Sequence, residues 1–264
     1  MMSVERDNPA CPNVKSIRSR VLVAVSGLAA FVLLSLPARA QGSGDGFLFR
    51  VPAWRFAILG GFAQPRGASD IFSFVTDELT LGRGDFTGAM VDASVALRIK
   101  PRLELVVSAS YTGRSARSES RRFVDLDDLP IEQTTALQRV PIMAGARLSL
   151  LPPGREIGRF AWIPTKFVPF VGAGGGAVWY RLNQDGDFVD KASLDVFTDK
   201  FESLGWSPGA TAFAGADVSL GPRYGLTGEG RYLWSKGPMN RDFSTFNKID
   251  LSGYDASIGL YVRF

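Results

Sequence analysis

YDASIGLYVRF, residues 254–264, closes the chain. On an extended backbone Tyr254, Ala256, Ile258, Leu260, Val262 and Phe264 fall on one side, and Gly253, Asp255, Ser257, Gly259, Tyr261 and Arg263 on the other. Side chains of a strand alternate between its faces with period 2. One face is therefore wholly apolar and the other mixed, and the pattern runs to the last residue, where soluble domains usually fray. Such a strand needs an apolar surrounding on one side.

Seven more segments of the same kind precede it. AWRFAILGGFA (53–63) puts Trp54, Phe56, Ile58 and Phe62 on one face. FTGAMVDASVALRIK (86–100) sets Ala89 to Ile99 against Asp92, Ser94, Arg98 and Lys100, and RLELVVSASYT (102–112) sets Leu103 to Tyr111 against Glu104 and Ser108. TTALQRVPIMAGARLSL (134–150) opposes Val140, Ile142 and Leu148 to Arg139 and Arg147. FVPFVGAGGGAVWYRL (167–182) is rich in Gly, GATAFAGADVSL (209–220) carries Asp217, and YGLTGEGRYLW (224–234) carries Glu229 and Arg231. The connections alternate in length. KPR (100–102) and GPRY (221–224) are tight, whereas 64–86, 113–132, 182–207 and 236–248 are long and polar; only 152–166 is a longer connection on the tight side.

Short turns on one rim and long loops on the other, with alternating strands of about 9–11 residues, are the pattern of an outer-membrane barrel. A sheet crossing hydrocarbon must close on itself, because every backbone polar group has to be paired there. The expected fold is an all-β, eight-stranded antiparallel up-and-down transmembrane β-barrel, preceded by a cleaved signal peptide. Trp54, Tyr111, Trp179, Tyr180, Tyr232, Trp234 and Phe264 lie near expected strand ends, where interfacial aromatic belts form.

The front of the chain agrees. Arg6, Lys15, Arg18 and Arg20 precede the apolar run VLVAVSGLAAFVLLSL (21–36), and Ala38 and Ala40 form a small-residue cleavage site before Gln41. The run is shorter than the roughly 20 residues of a spanning helix. A secretory signal peptide over 1–40 and a single barrel domain over 41–264 are the expected organisation, with localisation to the bacterial outer membrane. Of 30 Lys and Arg and 26 Asp and Glu, five and two lie in 1–40, which leaves 25 against 24. The basic pI thus belongs largely to the export segment, and nucleic acid is not an expected partner. Cys11 is the sole cysteine and lies in the same segment, so the exported fold stands without a disulfide.

With its signal peptide, its eight alternating strands, FVPFVGAGGGAVWYRL, YGLTGEGRYLW and the terminal SIGLYVRF, the sequence resembles the small outer-membrane β-barrels of the OmpA transmembrane-domain type. The resemblance spans nearly the whole exported chain, and nothing in it resembles a peptidoglycan-binding domain. It implies that Tyr254, Ile258, Leu260, Val262 and Phe264 serve as the assembly signal read by the barrel-assembly machinery. Enzymes among such barrels lean on a histidine as general base. This chain has none, so no catalytic residue, cofactor or metal is expected.

Strand parity assigns Arg55, Arg98, Arg139, Arg147, Arg231 and Arg263 to the lumen, facing Asp92, Glu104, Asp217, Glu229 and Asp255. An eight-stranded interior is just wide enough for side chains to fill, and Arg suits planar pairing in a confined space. VGAGGGA (171–177) lacks the helix that a dinucleotide fingerprint opens; its glycines are expected to make room for bulky neighbours or to bend the strand. NQDGDFVD (183–190) fails the calcium-loop pattern, with Phe188 at the glycine position and Leu194 at the glutamate position. Leu194, Phe197, Phe201 and Leu204 fall at helical spacing before Gly205, which predicts a short amphipathic helix over 194–204. Arg114, Arg117, Arg121 and Arg122, with Asp125, Asp127 and Asp128 nearby, are placed above the outer rim, where lipopolysaccharide phosphates would be bidentate partners.

The expected function is that of an integral outer-membrane protein with a structural or surface-interaction role and a lumen plugged by side chains, in contact with outer-membrane lipid and lipopolysaccharide. Two alternatives stand beside it: a narrow small-solute channel, and a soluble exported ligand-binding barrel of lipocalin type.

Overall fold

The computed structural model describes residues 46–124, 129–158, 161–189 and 195–264. The expected signal peptide, Asp125, Asp127, Asp128 and Leu194 lie outside them. In chain order the elements are β1 (Trp54–Pro65), α1 (Asp70–Glu78), β2 (Gly88–Lys100), β3 (Leu103–Val124), β4 (Pro130–Ser149), β5 (Gly154–Ile157), β6 (Ala161–Pro164), β7 (Phe167–Val189), β8 (Val196–Ser219), β9 (Tyr224–Gly237), β10 (Ile249–Asp250) and β11 (Gly253–Arg263). Neighbouring strands pair antiparallel in the order β1-β2-β3-β4-β7-β8-β9-β11, and β11 pairs back onto β1. Eight strands thus form a closed up-and-down barrel.

Closure rests on the last residues. Ile58 faces Leu260 and Arg55 faces Arg263 across the β1–β11 seam. Phe264 lies beyond the strand proper, yet its N–H donates to the Trp54 carbonyl at 2.9 Å and its carbonyl accepts from Ala53 N–H at 2.7 Å. The ladder therefore runs to the end of the chain, and the seam leaves no free edge.

The outer surface is an apolar band. Ile58, Phe62, Val91, Leu105, Val107, Ile142, Ile258 and Leu260 are all exposed large hydrophobics at mid-strand positions. One rim of the band carries Trp54, Phe167, Tyr224 and Phe264, and the other carries Tyr111, Trp206, Trp234 and Tyr254. On β9 the stretch from Tyr224 to Trp234, at about 3.3 Å per residue and tilted about 40°, rises roughly 25 Å. Tyr232 joins the second belt by edge contacts to Trp234 and Tyr254, with ring centroids 4.6 and 4.5 Å apart. Tyr180 departs from the expected belt. It points inward, fully buried, with its hydroxyl against Ser203 Oγ at 3.2 Å and donating to the Pro238 carbonyl.

Four stretches expected as connections are built otherwise. β3 and β4 continue through most of 113–132, with a register shift between Glu119 and Val124, and β7 and β8 stay paired from Trp179–Trp206 out to Val189–Val196. Beyond the aromatic belt no apolar outer face is required, so alternation disappears while backbone pairing persists. Arg181 there donates to Glu202 at 2.8 Å, and Thr198 to Asp187 at 2.5 Å. The expected helix over 194–204 is β-strand in its described part. Phe197 and Phe201 are four apart, which suits one helix face and one strand face equally, and Leu204 stands on the opposite, exposed side. Conversely, 64–86 holds the true helix, α1, and 152–166 holds the β5–β6 hairpin.

Candidate functional site

The lumen gathers the chain's buried charge, and the elements that fill it divide it into three levels. At the end carrying the short turns, Arg55, Arg98, Arg147 and Arg263 come from the ends of β1, β2, β4 and β11, facing Glu104 from β3 and Asp217 from β8. Arg55 pairs with Asp217 at 3.1 Å, and Arg147 binds the other oxygen of the same carboxylate. Arg147 and Arg98 stand 3.7 and 3.8 Å from Glu104. Arg263 donates to the hydroxyls of Tyr261, at 2.5 Å, and Ser219, at 2.7 Å. Four guanidiniums thus meet two carboxylates.

Aromatic faces take up part of the difference. Arg147 lies 3.7 Å from the Phe170 ring centroid, Arg55 4.5 Å from that of Tyr261, and Arg98 and Arg263 5.7 and 5.3 Å from that of Trp162. Each such contact is worth roughly 0.5–2 kcal/mol, against several kcal/mol for removing an ion from water. Aromatic contact alone leaves the group under-compensated. Glycines on the inner face make these rings possible: a Cβ at Gly215 would run into Phe170, and one at Gly225 into Tyr261.

Trp162 comes from β6. It is buried, and it exchanges backbone hydrogen bonds with Leu48 at 2.7 and 2.9 Å. The β5–β6 hairpin thereby sets Trp162 against Arg98 and Arg263 at the short-turn end, a role not visible in a connection read only by its length.

The middle level is acidic. Arg231 donates to Glu229 through Nε and one terminal nitrogen, at 3.0 and 2.7 Å, and to Asp92 at 3.1 Å. Asp255 faces the same group, and Arg139 above it donates to the Leu251 carbonyl at 2.8 Å near Asp250. The lumen residues assigned by parity are thus placed inward, but in two groups of opposite excess.

The third level is apolar. Ile71, Phe72 and Val75 of α1, with Leu79, Leu81 and Phe86 after it, pack against Leu137, Met143, Val178, Tyr180, Leu182 and Leu233 of the wall and Phe243, Ile249 and Leu251 of the last loop. This cluster is clasped from several sides. Asp70 accepts from the Asn247 backbone N–H at 2.9 Å and its side-chain amide at 2.8 Å. Arg121 donates to the Leu79 carbonyl at 2.6 Å, Arg114 to the Asp85 carbonyl at 3.2 Å, and Arg122 stands 3.9 Å from Glu78. Three of the four rim arginines therefore hold the α1 segment, while Arg117 stands exposed.

The clasp is expected to depend on pH. The Asn247 backbone N–H, foremost, with the Asn247 side chain and the Ile71 N–H, holds the Asp70 carboxyl below the usual carboxylate range. A carboxyl with a depressed folded-state pKa contributes stability above its unfolded value and loses it as the pH falls through the folded one. Acidification through and below the ordinary Asp range near pH 3.8 is thus expected to loosen α1 from the last loop. Faster hydrogen exchange at Ile71–Leu79 would report it, and Asp70→Asn should remove the pH dependence. Equal exchange of wild type and variant across that range contradicts the clasp.

No family model matches the sequence, and no curated protein does. Solved structures are similar at low identity. Neisserial surface protein A is 15% identical with a TM-score of 0.43, over 80% of this chain and 96% of that one. Ail, the attachment invasion locus protein of Yersinia pestis, is 11% identical with a TM-score of 0.40, over 79% and 99%. The outer membrane protein W of E. coli is 15% identical with a TM-score of 0.36, over 81% and 99%. By its own strand order, closure and inverted face pattern, the chain has the eight-stranded barrel fold of small outer-membrane proteins.

Proposed function

We propose that the protein is exported, is inserted in the bacterial outer membrane, and serves there as a non-conducting structural or surface-interaction barrel. The observation that carries this reading is the inversion of faces: an apolar exterior bounded by two aromatic belts around a charged interior, with the apolar α1 cluster packed inside the wall at the loop end. A soluble ligand-binding barrel needs the reverse, an apolar cavity within a polar shell. The long hairpins β3–β4 and β7–β8 project beyond the second belt and present the contact surface. Arg117, with the exposed faces of Arg114, Arg121 and Arg122, offers phosphate contacts to lipopolysaccharide on that side. Tyr254, Ile258, Leu260, Val262 and Phe264 all lie on the outer face of the closing strand, available to the assembly machinery. No catalytic role is proposed.

Cell fractionation with heat-modifiable gel migration tests the location, and a chain released without detergent would sink it. Discrete conductance steps in planar bilayers would instead favour the channel. A single exchange discriminates further. Ile258 is 65% exposed at the middle of β11. If that face meets lipid, Ile258→Arg destabilises the refolded barrel by about 2–4 kcal/mol. On a water-exposed face the same exchange stays within about 0.5 kcal/mol, and urea unfolding in lipid vesicles separates the two.

A further inference from the structure

We propose that the short-turn end of the lumen is an anion site that takes one small halide ion against Arg55 and Arg147. A cavity of about 20 Å³ lies between the two charge levels, walled by Arg55, Arg147, Ser94, Ser108 and Thr211, with Arg231 and Glu229 at its far side. That volume holds one water-sized species and is too small for phosphate or an organic acid. The far wall carries no surplus positive charge, since Arg231 is matched by Asp92 and Glu229. The near wall does carry one. Asp217 is shared between Arg55 and Arg147, Glu104 is shared between Arg147 and Arg98, and Arg263 is bonded to hydroxyls only.

The donors tell the same story. Arg55 and Arg147, which line the cavity, each bury an Nε–H with no acceptor among the described residues. Buried donors are nearly always paired, and a guanidinium cannot shed its proton to relieve the surplus. Water could satisfy a donor but not the charge. A monovalent anion of chloride size answers both, and two hydroxyl-bearing strands, β2 and β3, line its place with Ser94 and Ser108. Glu229, held by two nitrogens of Arg231, keeps its carboxylate committed to that partner.

The test uses the full exported chain refolded in detergent micelles and unfolded by urea in sodium chloride, sodium bromide or sodium gluconate at equal ionic strength. A halide bound only to the folded state multiplies the folded-to-unfolded ratio by 1 + [halide]/Kd, about elevenfold at ten times Kd, and above Kd the ratio rises in proportion to halide. Gluconate, too large for the cavity, leaves the ratio at its base. Arg55→Met should abolish the halide response and Arg55→Lys should keep it. Bromide-soaked crystals should place an anomalous peak beside Arg55 and Arg147, which decides the matter even where Arg55→Met fails to fold. Equal unfolding in chloride and gluconate, or bromide found at the surface as an adventitious ion only, overturns the site. The inference uses the closed lumen and no surface role: conductance steps would count against the closed barrel, while the bromide position stands or falls by itself.

Discussion

Asp217→Asn is expected to destabilise the barrel by about 3–5 kcal/mol, the amount lost when one partner of a buried ion pair is removed. Asp217 is the shared carboxylate of Arg55 and Arg147, and its own side chain is 12% exposed. Without it the short-turn end holds four guanidiniums against Glu104 alone. Arg147 keeps Glu104 at 3.7 Å, whereas Arg55 pairs with no other carboxylate among the described residues. Adding Arg55→Met to Asp217→Asn should therefore recover part of the loss, a non-additivity expected of residues sharing a partner. Asp92→Asn should be milder, because Arg231 retains Glu229. Urea unfolding of the refolded variants measures all three. Asp217→Asn within about 1 kcal/mol of wild type would mean that water reaches this level of the lumen and screens it, as at a surface pair.

The strands inside the apolar band were legible because lipid dictates one of their faces. Ile258, Leu260 and Val262, or Val91, Ala93 and Val95, alternate with Asp255, Arg263, Asp92 and Ser94 without exception, and parity then fixes which charges face inward. Above the second aromatic belt that constraint vanishes. Asn183, Asp185 and Asp187 are polar on a face where Val171 and Ala173 are apolar, so β7 reads as ending where it continues. The helix α1 did have a signal: Ser69 precedes it, and Ile71, Phe72, Val75 and Leu79 keep helical spacing. It was hidden because a short element inside a polar stretch buries its stripe in the barrel mouth, which only the closed wall reveals. Trp162 had no local signal. Its role comes from a hairpin folding back against Arg98 and Arg263, both distant in sequence.

The two-against-four imbalance was likewise out of reach of parity. Summed along the chain the lumen charges nearly cancel, since Asp92, Glu229 and Asp255 lie at mid-barrel while Arg55, Arg98, Arg147 and Arg263 lie at one end. Sequence order gives the face of each residue. Its height in the barrel depends on register and shear, which are set by pairings such as Arg55 with Arg263 and Glu104 with Arg147.

Phe264→Ala is expected to lower the outer-membrane level of the protein several-fold while leaving the purified chain able to refold in vitro. The two outcomes separate because the backbone of Phe264 closes the seam whereas its ring, as proposed, is read during assembly. Its backbone closes the seam by accepting from Ala53 and Trp54 and donating to Trp54, and an alanine keeps those bonds. Its ring is 43% exposed on the outer face, so truncating it leaves no enclosed cavity. On the proposed reading the ring serves recognition before closure, when β11 is still an unpaired edge with Tyr254, Ile258, Leu260 and Val262 on one side. Deleting Phe264 removes backbone bonds as well, and should slow refolding in lipid vesicles in addition to lowering the cellular level. Normal membrane levels of Phe264→Ala would show that the terminal ring is not read. Loss of refolding in that variant would place the ring in the fold itself, at the seam with Trp54, and not in its recognition.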